Sequence, residues 1–88
     1  MKTIINITIT KQGGGGECLK KEFDLPFLLV PGIEIEDPAW QDSRKIVSVL
    51  FNTEDSSIYA GLEMTHKSVN EFDQYVTMLK SHNWSLYC

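Results

Sequence analysis

The sequence has few cysteines, no long apolar run and no cluster of basic residues, and each shortage excludes a class of protein. Its two cysteines, Cys18 and Cys88, lie far apart and lack the spacing of a metal or redox site. No apolar run is long enough to span a bilayer, and the first residues lack the uninterrupted apolar core of a signal peptide. A cytoplasmic protein without a membrane partner is therefore expected. Its two cysteines would then stay reduced. A disulfide between them would form only in an oxidising compartment.

Basic residues are scarce, and they never occur in a run longer than the pairs Lys20–Lys21 and Arg44–Lys45. The chain of 88 residues contains 12 acidic and 8 basic side chains, which gives a net charge of −4. Because a nucleic-acid-binding protein normally presents a basic face, this balance makes nucleic acid an unlikely partner. An apolar fraction of 42% indicates a packed core. The length predicts one domain, residues 1–88.

Alternating apolar and polar residues predict two β-hairpins. The first joins Lys2–Lys11 to a second strand that ends near Phe27, across the glycine run Gly13–Gly16. A turn centred on Gly14 would place Ile9 opposite Leu19. The second hairpin joins Lys45–Asn52 to Ser57–Thr65, and a short strand within Ile33–Glu36 is a further expectation.

The stretch Ser68–Asn83 predicts an amphipathic helix. Val69, Phe72, Val76 and Leu79 repeat at helical spacing, so they would form one buried stripe. Ser68 and Glu71 fit a capping box, and Asn83 suits the residue that ends a helix. The fold class is therefore α+β, an antiparallel sheet of four to five strands with this C-terminal helix on one face. The alternative is an SH3-like small barrel with the helix appended.

The strand Lys45–Asn52 is apolar on both faces, although the helix can cover only one. The second face would carry Ile46, Leu50 and Tyr59. Either the sheet curls to bury these side chains or another molecule covers them. The sequence thus predicts a homodimer or partner contact there, ahead of barrel closure.

The sequence contains no catalytic constellation, and we assign no catalytic, metal-binding or cofactor-binding residue. Gly13–Gly16 lacks the Lys-Ser/Thr ending of a phosphate-binding loop and precedes no helix. Cys18, Cys88, His66 and His82 show no spacing typical of nucleophilic catalysis or zinc binding. A small enzyme therefore ranks below the binding functions.

Acidic residues cluster around a tryptophan in Ile33–Ser43. Trp is enriched at binding hot spots, so we predict Glu36, Asp37, Trp40 and Asp42 as a partner contact. The leading function is a small acidic, non-enzymatic protein-binding module that inhibits, adapts or regulates a larger, basic or nucleic-acid-binding protein, with self-association as a further expectation. The alternative is a nucleic-acid-binding small barrel with its cations, Lys2, Lys11, Lys20, Lys21, Arg44 and Lys45, gathered on one face.

Overall fold

The computed structural model describes residues 2–38 and 43–87 and shows a single α+β domain. One helix follows six of its seven strands. The elements in chain order are β1 (Lys2–Lys11), β2 (Gly16–Asp24), β3 (Glu34–Ile35), β4 (Arg44–Asn52), β5 (Ser57–Leu62), β6 (Thr65–Lys67), α1 (Val69–Ser81) and β7 (Ser85–Leu86).

The strands form one curled, half-barrel sheet in the order β3-β4-β5-β1-β2-β7, with β6 also paired to β1. The prediction of an α+β fold with one C-terminal helix is confirmed, but that of a purely antiparallel sheet of four to five strands is wrong. The reason is that β5 and β6 both run parallel to β1, with Thr3 opposite Ile58 and Ile9 opposite Thr65. The first strand is consequently the centre of the sheet.

The glycine run closes the first hairpin, as predicted, but in a tighter register. Ile9 lies opposite Glu17, and Ile7 lies opposite Leu19. The turn can be this tight because Gly13, Gly14 and Gly15 have φ values of 89°, 116° and 85°, which other residues rarely adopt. The shift of two residues leaves every side chain on its expected face, so the apolar face of β1 remains buried.

A β-bulge in β4 moves Ile46 away from the face predicted for it. The pairing with β5 shifts between Ile46 and Ser48, and the extra residue reverses the alternation of side chains. Ile46 is fully buried in the core cluster, whereas Leu50 is 64% exposed. The prediction that Ile46 shares a face with Leu50 and Tyr59 is therefore wrong.

The helix begins and ends close to the predicted residues. Ser68 is the N-cap, and its hydroxyl donates to Glu71 Oε1 (2.8 Å) instead of a backbone group. At the other end Asn83 has a φ of 72°, and Trp84 N donates to Leu79 O. This geometry is the expected helix stop, and it directs the chain into β7.

Most of the predicted helix stripe packs against the sheet. Phe72, Val76 and Leu79 join the core cluster, but Val69 is 57% exposed because it lies in the first turn. We call the side of the sheet that faces this cluster the helix face, and the opposite side, where Leu50 and Tyr59 lie, the open face. No helix in the described residues is long and apolar enough to cross a membrane.

Candidate functional site

A shallow depression of about 470 Å³ crosses the open face. Its residues come from three strands (β1, β4 and β5) and the segment after β7, and they are Asn6, Ser48, Leu50, Asn52, Tyr59, Gly61 and Tyr87. A Cβ atom on Gly61 would lie 2.7 Å from Ser48 Oγ, so a larger residue at this position would require the Ser48 side chain to move. Leu50 and Tyr59 of the predicted partner face line this depression. Their binding to a partner stays a prediction.

The Tyr59 side chain is hydrogen-bonded to the turn between β4 and β5. Its hydroxyl donates to Asp55 Oδ2 at 3.1 Å, and this hydrogen bond is the main reason that the pKa of Tyr59 lies above its ordinary value. Partial desolvation raises the pKa of Asp55, but hydrogen bonds from Tyr59 and Ser57 outweigh it and hold that pKa below the ordinary value. The bond therefore requires a protonated phenol and an ionised carboxylate.

Asp55→Asn should move one tyrosine ionisation to lower pH. Tyr59 has the raised pKa in the folded state, so the stabilisation from its bond is complete below the ordinary tyrosine pKa, about 10, and disappears as pH rises through the folded value. An absorbance titration of tyrosinate measures the shift. Asp73→Asn, which changes an exposed helix carboxylate, is the control. Identical curves for Asp55→Asn and the wild type would contradict this assignment.

An apolar groove of about 240 Å³ lies on the helix face, between the end of β2 and β3. Its floor and walls are formed by Ile5, Phe23, Leu25, Phe27, Leu29, Ile33 and Ile35, and its remaining lining residues are Glu34, Glu36 and Asp37. Ile5 and Leu29 are buried, whereas Phe27 is 56% exposed. Among the described residues that line the groove, none is Lys or Arg.

Asp37 is buried, although the sequence pattern predicts it as a charge that meets a partner; its part in such a contact stays a prediction. The residue is 8% exposed, and Lys21 Nζ lies 2.9 Å from its Oδ2 atom. Its Oδ1 atom accepts a hydrogen bond from Trp84 Nε1 at 3.3 Å, and the Lys21 ammonium also lies 5.8 Å from the Trp84 ring. Asp37 therefore fastens the segment after β3 to β2 and to the end of the helix.

The other residues of the predicted acidic contact are Glu36, Trp40 and Asp42, and the structure describes only the first of them. Glu36 is exposed at the groove, as the prediction requires. Trp40 and Asp42 lie outside the described residues, so their part of the prediction is neither supported nor opposed. Glu34, which sequence reasoning did not select, is exposed beside the groove, and its Oε1 atom accepts a hydrogen bond from Ser43.

The cations named for the nucleic-acid alternative are distributed over both faces of the sheet. On the open face, Lys20 contacts the Tyr87 ring; on the helix face, Lys11 lies over Phe72, Lys21 pairs with Asp37, and Arg44 donates to Tyr75 Oη. This arrangement does not supply the single basic face that a nucleic-acid-binding barrel requires.

Two of the residues considered for catalysis, His66 and Cys18, have partners on β1. His66 Nδ1 lies 2.9 Å from Thr10 Oγ1, and the Thr8 hydroxyl donates weakly to Cys18 Sγ. Within residues 2–38 and 43–87, no group of three or more His, Cys, Asp or Glu side chains could hold a metal ion. Cys88 and its pairing with Cys18 lie outside this part of the chain.

The fold and these two surface features define a small α+β domain with a curled mixed sheet, an apolar groove on the helix face and a shallow depression on the open face. Comparison with protein-family models, curated proteins and solved structures finds no match to the chain. The function is therefore argued from the surface alone.

Proposed function

We propose that this chain is a cytoplasmic, non-enzymatic protein-binding module whose apolar groove receives a partner segment with a bulky apolar anchor flanked by Lys or Arg. The observation that carries the proposal is the combination of an apolar groove with exposed Glu34 and Glu36 at its side. A second copy of the chain is the other partner covered by this proposal, at a different surface.

The groove has the size and chemistry for a side-chain anchor. A volume of about 240 Å³ lies below the range typical of small-molecule sites, but it accommodates one or two apolar side chains. Its apolar lining supplies the affinity by removing anchor and wall from water. Phe27, which is more than half exposed, gains the most burial when an anchor enters.

The charges beside the groove select the flanking residues of the partner. Asp37 is already paired with Lys21, so the exposed carboxylates beside the groove are Glu34 and Glu36. The net charge of −4 adds a long-range attraction for a basic segment. Exposed charges of this kind raise the association rate and the discrimination between partners more than they raise the affinity.

Peptides selected from a random displayed library against the whole chain should share an apolar anchor with basic neighbours. Phe27→Ser should weaken their binding more than about tenfold, because it removes a wall of the groove. Met64→Ser, at a more exposed residue outside the groove, should not. Anisotropy titrations of labelled peptides give the affinities, and thermal melts show that both variants fold.

Reversing the groove charges provides the test of specificity. Glu34→Lys combined with Glu36→Lys should change the selected flanking residues from basic to acidic. Glu63→Lys combined with Glu71→Lys alters the net charge equally at exposed residues elsewhere and should leave the selection basic. Selected peptides that lack a common anchor, or that bind the Phe27→Ser protein equally well, would refute the proposal.

A further inference from the structure

We infer that the partner segment binds the groove in an extended conformation and adds to the outer edge of β3 as a further strand. Its recognised core has an apolar anchor with a Lys or Arg residue immediately before it and another immediately after it. This inference rests on the proposed function, and it adds the conformation and the sequence pattern of the partner.

The outer edge of β3 presents backbone groups that another strand can use. In the part of the chain that the structure describes, β3 is the end strand of the sheet and pairs with β4 alone. Ile46 N donates to Ile33 O, so the neighbouring pair, Glu34 and Lys45, exchanges no backbone hydrogen bonds. The N–H and C=O groups of Glu34 therefore point away from β4, toward the outer edge.

The groove lies beside this edge. Residues 33–37 form one wall of the groove, and side chains from within residues 23–29 form the other. Because β4 occupies the inner edge of β3, a segment that enters the groove meets the outer edge. The ion pair of Lys21 and Asp37 joins β2 to the segment after β3, so both walls belong to the folded framework and need little reordering to receive a strand.

The alternation of side chains in β3 determines the sequence pattern of the partner. Ile33 and Ile35 pack against the core cluster and line the groove, whereas Glu34 and Glu36 are exposed. In a strand paired with β3, the residue opposite Ile35 has its side chain on the groove side, and its two neighbours lie on the side of the glutamates. An apolar residue between two basic residues therefore meets complementary side chains at all three positions.

Lys45 does not remove the preference for a basic residue beside Glu34. Its exposed side chain belongs to the residue opposite Glu34 on β4. The incoming residue lies on the other side of Glu34, two strand spacings or roughly 10 Å from Lys45. The nearer glutamate consequently determines the favoured sign, since opposite charges side by side in a sheet stabilise the pair and like charges destabilise it.

Two substitutions at Glu34 test the backbone pairing from the side of this chain. Glu34→Pro removes the outward N–H group, whereas Glu34→Gln removes the same charge and keeps that donor. Both variants should fold, which thermal melts establish, because proline is accepted at a sheet edge whose N–H faces outward. In anisotropy titrations with the peptides selected from the displayed library, Glu34→Pro should bind about tenfold more weakly than Glu34→Gln. Equal affinities of the two variants would overturn the inference.

An N-methyl scan of the tightest-binding selected peptide tests the same pairing from the side of the partner, with the wild-type chain. Methylation should weaken binding about tenfold at alternate residues of the recognised core and leave the residues between them unaffected, because successive N–H groups of a strand point to opposite sides. Tolerance at every residue, or losses at consecutive residues as a helical peptide would give, would overturn the inference. Peptides that still share the anchor and its basic neighbours would leave the proposed function standing, whereas a selection without a common anchor would remove both.

Discussion

Replacing Leu79 by alanine should lower the free energy of unfolding by about 2–5 kcal/mol, the range for a large buried side chain truncated to alanine. Leu79 is fully buried in the core cluster, where α1 contacts the sheet. Phe72→Ala should cost a similar amount, and Val76→Ala less because fewer atoms are removed. Since domains of this kind have roughly 5–15 kcal/mol of total stability, the two large truncations should leave a barely folded protein.

Urea denaturation of the variants measures these changes. Asp73→Ala and Thr77→Ala, at exposed helix residues, should change the free energy of unfolding by less than about 0.5 kcal/mol. Val69→Ala belongs with these controls, although the sequence pattern places Val69 in the stripe, because its side chain is mostly exposed. Losses at the exposed residues as large as that of Leu79→Ala would show that the helix packs in another orientation.

Asp37→Ala should destabilise the fold by about 3–5 kcal/mol, the usual cost of removing one partner from a buried ion pair. The substitution leaves Lys21, whose side chain is 17% exposed, without its carboxylate partner and takes this acceptor away from Trp84 Nε1. This result would distinguish a structural Asp37 from a surface charge, whose neutralisation changes stability little.

A double substitution distinguishes the cost of losing the ion pair from the cost of leaving one charge buried without its partner. Asp37→Leu combined with Lys21→Met should recover most of the stability lost by Asp37→Ala, because no unpaired charge stays buried. Glu36→Ala is the control, since Glu36 is the exposed neighbouring carboxylate, and it should leave the urea midpoint nearly unchanged. A double variant as unstable as Asp37→Ala would contradict this account.

The features that depend on neighbouring residues could be predicted from the sequence. The alternation of Ile5, Ile7 and Ile9, the Ser68 N-cap and the helix stop at Asn83 all follow from local periodicity and turn chemistry. The parallel pairing of β1 with β5 could not, because it joins residues as distant as Thr3 and Ile58 and leaves no local pattern. An alternating strand shows which residues face the core, but not which strand lies next to it.

The candidate site was predictable only in part, for a related reason. A cluster of carboxylates does not reveal that Lys21, on another strand, neutralises Asp37 while Glu36 stays exposed. Likewise, the bulge near Ile46 has no signature in a run of β-branched residues, although it decides which side chains reach the open face. The groove depends on how β2, β3 and the intervening segment meet, and this arrangement is set by tertiary packing.

The central position of β1 has a consequence for how the chain acquires its structure during synthesis. The ribosome produces β1 before its neighbours, and two of the three, β5 and β6, emerge more than forty residues later. At about 5–20 residues per second, the hairpin of β1 and β2 must wait for seconds with one side of β1 unpaired. The polar residues Asn6, Thr8 and Thr10 on its other face reduce the apolar surface exposed during that interval. The opposite face of β1 carries Ile5, Ile7 and Ile9, which are covered only in the completed core, so a ribosome-bound chain that stops before β5 should bind chaperones more strongly than the folded domain.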